Sequence, residues 1–116
     1  MFLKKVINAL NAKRVPYLLI GGYAVALHGA VRGTVDIDIA IGLNEKAYKN
    51  VEKALMNIGL KSRLPVNAEE VFHFRENYIQ KRNLIAWSFY NPDNPLEIVD
   101  VIITEDAKSY KSLTKT

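Results

Sequence analysis

The segment Val35-Asp36-Ile37-Asp38-Ile39-Ala40-Ile41 alternates without a break, and no other stretch constrains the fold as much. A strand sends successive side chains to opposite faces, so Val35, Ile37, Ile39 and Ile41 point one way and both aspartates the other. The apolar face needs a second layer to pack against. The other face carries two like charges at i and i+2, on a residue type that strands disfavour, and such a pair calls for compensation. Two compensations are open from this segment alone. A hard divalent cation takes carboxylate oxygens readily and gains from ligands on a rigid element. Alternatively, the strand is a solvent-facing edge whose aspartates discourage aggregation.

The remaining elements supply the second layer. Phe2, Leu3, Val6, Ile7 and Leu10 recur at helical spacing and predict an amphipathic helix ending near Lys13-Arg14, with Pro16 marking the break. Tyr17-Leu18-Leu19-Ile20 reads as a short buried strand that runs into Gly21-Gly22. Tyr23 to Leu27 starts a short helix that Gly29 closes. Asn44 caps a helix carrying Tyr48, Val51, Leu55 and Ile58, with Gly59 just past its end. A further helix is expected around Glu69 to Gln80, after the interruption at Pro65. Leu84 to Tyr90 and Leu96 to Ile103 are β-rich runs flanking Asn91-Pro92-Asp93-Asn94-Pro95, which predicts an antiparallel hairpin. This order implies one α/β (α+β) domain over residues 1–116, a mixed sheet with helices packed on one face.

Composition removes whole classes of function. The chain has no cysteine, which excludes disulfides and thiolate metal sites, and its two histidines are too few for a histidine-rich zinc centre. No long uncharged apolar run occurs, so a soluble cytoplasmic protein with no membrane partner is expected. The formal net charge of +4 suits an anionic partner such as a nucleotide or RNA, and equally suits a solvated basic surface.

Two further features weigh on the aspartates. Gly21-Gly22 sits between a strand and a helix, where missing side chains let a phosphate approach backbone N–H groups. A third carboxylate, Asp100, lies within the apolar run Ile98-Val99-Asp100-Val101-Ile102, which can lie beside the first strand. Alternation puts Asp100 with Ile98 and Ile102 on one face, and Glu97 with the apolar Val99, Val101 and Ile103 on the other, so Asp100 is the third carboxylate of choice. Three acidic residues beside a phosphate cradle are what two-metal nucleotidyl transfer requires. Arg32 offers a guanidinium to phosphate oxygens, or else a structural ion pair with Asp36 or Asp38. His28 is read as capping or packing, Thr34 as packing at the strand entrance, and His73 has no assigned role. Trp87, Phe89 and Tyr90 fit a strand core better than a base-stacking platform.

The run Ile20 to Gly29, followed by Arg32-Gly33-Thr34-Val35-Asp36-Ile37-Asp38, resembles the signature of DNA polymerase β-type nucleotidyltransferases. Within them it is most similar to the AbiEii-like and MenT-like toxin group, by its Gly-Gly, His-Gly, Arg-x-Thr and Asp-x-Asp features, and less close to the aminoglycoside and lincosamide nucleotidyltransferases and the CCA-adding enzymes, whose signatures follow the glycines differently. The resemblance implies a minimal nucleotidyltransferase fold in which Asp36 and Asp38 hold two Mg²⁺ ions and Asp100 completes the site. It also implies a nucleoside triphosphate over Gly21-Gly22, an acceptor hydroxyl on tRNA or other RNA, and pairing with an antitoxin or with itself. Many members carry serine at the second glycine; Gly22 stands here, leaving triphosphate contact to backbone N–H groups and Arg32. Members usually continue into a helical region beyond the third carboxylate, which this chain is expected to lack. The alternatives are a non-catalytic nucleotide- or partner-binding module of the same fold and an antibiotic nucleotidyltransferase. An unrelated RNA-binding domain is a weaker option, since no Gly-x-x-Gly signature is present.

Overall fold

The alternating segment forms β2 (Val35–Ile41) and lies inside a five-stranded sheet rather than at its edge. The computed structural model describes residues 2–20 and 35–109. Before β2 come α1 (Phe2–Ala12) and β1 (Tyr17–Leu19); after it come α2 (Glu45–Asn57), β3 (Lys61–Ser62), α3 (Ala68–His73), α4 (Arg75–Arg82), β4 (Ala86–Asn91) and β5 (Asn94–Ile102). The strand order is β1-β2-β5-β4-β3, with β2 and β5 parallel and the other pairs antiparallel, so the sheet is mixed. The expected helix at Tyr23 to Leu27 with its closing Gly29, and the residues Gly21, Gly22, His28, Arg32 and Thr34, lie outside the described residues.

One face of the sheet makes the core. Ile37, Ile39 and Ile41 of β2, Val99 and Val101 of β5, and Trp87 and Phe89 of β4 are all buried there. Against them pack Phe2, Leu3, Val6 and Leu10 of α1, Tyr48, Val51 and Leu55 of α2, and Val71 of α3. Burying a large apolar side chain contributes roughly 1.5–3 kcal/mol, so this layer carries most of the fold's stability. Tyr48 stacks on Trp87 at 6.0 Å and meets Phe72 edge-on at 5.4 Å. The described helices therefore pack on one face, the one that carries the apolar side of the alternation.

The capping chemistry expected at α2 is present. Asn44 takes extended backbone angles and its side-chain oxygen accepts the Ala47 N–H at 2.8 Å. Gly59 follows with φ of 90°, a left-handed conformation that only glycine adopts without strain. The single helix expected around Glu69 to Gln80 is instead two helices, α3 and α4, with Phe74 ending one and starting the other. The physical reason is that they serve different neighbours. Asn67 and Glu70 form a reciprocal capping box that fixes α3 against α2, while Arg75 Nε donates to the Ile103 carbonyl and draws α4 toward the sheet. The short strand β3 was not expected; Trp87 Nε1 donates to Ser62 Oγ at 2.8 Å and pins it to β4. The hairpin forms with a tighter turn than the five-residue segment suggested, since Asn91 and Asn94 already pair. Among the described residues no helix is long and apolar enough to cross a membrane.

Candidate active site

The parallel ladder between β2 and β5 sets Asp38 directly opposite Asp100, and Asp36 opposite Ile98. Partners in such a ladder share a face, so Asp100 joins Asp36 and Asp38 on the side away from the described helices. Glu97 lies on the core-facing alternation at the strand entrance, where it accepts a hydrogen bond from Asn91 Nδ2 at 2.8 Å. The three sequence-expected aspartates thus sit together on one face, and Glu97 is otherwise engaged.

Asp36 is exposed, whereas Asp38 and Asp100 are half-buried. Burial raises the Asp38 carboxyl above its ordinary value, and the neighbouring Asp100 and then Asp36 raise it further. Among the described residues no lysine, arginine or histidine forms an ion pair with any of the three. Three hard oxygen donors with no cationic partner among the described residues suit Mg²⁺ or a similar cation. Asp38 and Asp100 make the close pair. Asp36 stands about one strand repeat away, roughly 7 Å along the chain.

The sequence did not single out Ser88. It pairs with Asp100 across β4 and β5, and its hydroxyl donates to Asp100 Oδ1 at 2.5 Å. That bond fixes the carboxylate's orientation toward Asp38 across the ladder. The only sequence signal is that Ala86, Ser88 and Tyr90 alternate with the buried Trp87 and Phe89.

Gly21, Gly22 and Arg32 were expected to hold phosphates and lie outside the described residues. The chain nonetheless approaches that segment beside the aspartates, because the Ile20 N–H donates to the Asp38 carbonyl at 2.9 Å.

A second acidic group lies on the helical side. Glu45, Glu69 and His73 bring one ligand atom each within 4.8 Å of one another. Lys49 Nζ already lies 2.8 Å from Glu45 and 3.8 Å from Glu69, and His73 Nε2 lies 2.8 Å from Glu45. The lysine supplies the compensating cation, so this trio is an exposed ion-pair network on α2 and α3.

A family model described as aminoglycoside-2''-adenylyltransferase matches residues 2–82. The match takes in Asp36 and Asp38 and stops short of Asp100. No curated protein and no solved structure matches the chain.

Proposed function

Since the chain belongs to the aminoglycoside-2''-adenylyltransferase family, a family of nucleotidyltransferases, we propose that it transfers a nucleoside monophosphate from an NTP to an acceptor hydroxyl at the aspartate face of the sheet. The observation that carries this reading is the register that sets Asp38 against Asp100 with Asp36 on the same face. Asp36, Asp38 and Asp100 would hold two Mg²⁺ ions, which when bound neutralise phosphate charge and make the acceptor hydroxyl more acidic. Gly21 and Gly22 lend backbone N–H groups to the triphosphate, with Arg32 adding a guanidinium. Asp100, oriented by Ser88, accepts the hydroxyl proton as the acceptor oxygen bonds to the α-phosphorus and pyrophosphate leaves with the electrons of the broken P–O bond.

Net charge of +4 and the toxin-like signature of residues 17–41 support an RNA end, such as that of tRNA, as the acceptor. The family match supports a second acceptor, an aminoglycoside, whose ammonium groups suit an acidic face. An antitoxin-like protein or a second copy of the chain is the partner that the toxin likeness suggests, and the cytoplasm is the compartment where NTP and RNA are at hand. The test is incubation with each labelled NTP, Mg²⁺, and either total tRNA or a panel of aminoglycosides. Labelled RNA that declines as salt rises supports the first acceptor, because phosphate contacts are screened. Labelled aminoglycoside with little salt response supports the second. No label on any acceptor, and no stabilisation by any NTP with Mg²⁺, overturns transfer in favour of a non-catalytic module.

A further inference from the structure

A cleft of about 430 Å³ opens where the chain leaves the carboxyl ends of the parallel strands, lined among others by Gly42 after β2 and Asp106 after β5. Three cationic side chains reach it from separate segments: Arg14 from the α1–β1 turn, Lys46 from the first turn of α2, and Lys108 from the chain beyond β5. None of the three forms an ion pair among the described residues. The one carboxylate among the described residues that line the cleft, Asp106, is held by backbone groups, accepting the Leu43 N–H at 3.0 Å and the Lys108 N–H at 2.8 Å. Positive charge therefore exceeds negative charge in the cleft.

Two of those cations occupy positions that local structure disfavours. Arg14 has φ of 54°, left-handed backbone at the end of α1 where glycine or asparagine fits without strain. Lys46 lies in the first turn of α2, where the positive end of the helix dipole repels a cation. An anion between them relieves the second penalty and gives the first a use. Pro16 and Ala107 add apolar wall beside the charges, and the volume falls in the range of small-molecule sites. Gly42 lies just past β2, four residues beyond Asp38 and roughly 13 Å from it, so the cleft is distinct from the aspartate face.

We propose that this cleft binds a small organic phosphate, its phosphate held by Arg14, Lys46 and Lys108 and its body against Pro16 and Ala107. This assignment stands whether or not the aspartate face transfers nucleotides. The test measures binding of AMP and of inorganic phosphate by calorimetry in EDTA, so that metal-dependent binding elsewhere is silent. AMP should bind more tightly than phosphate, and equally well to the Asp38→Asn protein. Arg14→Gly and Lys46→Ala should each weaken AMP about tenfold, the loss of one charge-assisted contact. Arg14→Gly should at the same time raise the ligand-free unfolding temperature, so weaker binding cannot be put down to a damaged fold. The proposal is overturned by no AMP binding, by affinities that both substitutions leave unchanged, by binding that Asp38→Asn abolishes, or by phosphate binding as tightly as AMP.

Discussion

Replacing Asp38 by asparagine should stabilise the metal-free protein. In the fold Asp38 faces Asp100 across the ladder, is partly desolvated, and has no cationic partner among the described residues. Burial first, and then the neighbouring Asp100 and Asp36, raise its proton affinity above the ordinary carboxyl value of 3.8. A carboxyl whose folded pKa is raised binds protons more readily in the native state. Stability therefore declines as pH climbs from the unfolded value through the raised one, and stays reduced at neutral pH. Like charges directly opposite in a sheet cost up to about 1 kcal/mol, and partial exposure reduces this to about 0.5 kcal/mol. For a domain of this length that corresponds to roughly 2–4 °C in unfolding temperature. Thermal unfolding in EDTA at pH 7 should therefore place Asp38→Asn above the wild type, and the gap should close as pH falls toward 4. Mg²⁺ should raise the wild type and leave the variant nearly unmoved. A variant less stable than the wild type in EDTA at pH 7, or a gap independent of pH, would refute the claim that the carboxylates repel.

In a transfer assay Asp100→Asn should lose at least about 100-fold in rate with little change in stability, while Glu97→Gln should stay near the wild type. Ser88→Ala, which frees the Asp100 carboxylate to rotate, should lower transfer or Mg²⁺ affinity by about 10–100-fold, measured by metal titration. Asn44→Ala should cost about 1 kcal/mol in denaturant unfolding by removing the α2 cap. Tyr48 is buried, its hydroxyl finds no partner among the described residues, and burial pushes its phenol up to about 12. Tyr48→Phe should hence match or exceed the wild type in stability, by up to about 1 kcal/mol. It should also abolish the fall in stability that the wild type shows as pH rises from 10 toward 12, when the unfolded phenol ionises first.

The parts of the fold that were legible in the sequence are those set by short-range rules. The alternation from residue 35 to 41 assigned both faces of β2 correctly, because the period of a strand is fixed by backbone geometry. The Asn44 cap and the Gly59 stop at α2 were readable for a similar reason: each satisfies backbone groups within one turn. What could not be read depended on distant neighbours. The break at Phe74 answers to the Ile103 carbonyl, which draws Arg75 across a long stretch of chain. The two residues of β3 are a strand only because β4 offers them partners. In the candidate site, Asp36 and Asp38 came from local pattern, and Asp100 from apolar context that implied the adjacent strand. Ser88 is a polar residue in a hairpin until the register is known.

That register depends on an irregularity in the hairpin. Asn91 faces Asn94, yet Tyr90 faces Ile98, so Pro95, Leu96 and Glu97 are taken up on β5 with no counterpart on β4. An unbroken ladder from Asn91 would instead set Ser88 against Glu97 and turn Asp100 toward the apolar layer, because an odd offset exchanges the two faces. The irregularity therefore decouples the turn from the site: whatever pairing the turn begins with, every pair from Tyr90–Ile98 to Ala86–Ile102 keeps Asp100 on the face of Ser88. The parallel ladder with β2 holds the same residue opposite Asp38. Two neighbours thus fix the face of Asp100 separately, and a change in the length of the turn is taken up by the bulge before it reaches the carboxylates.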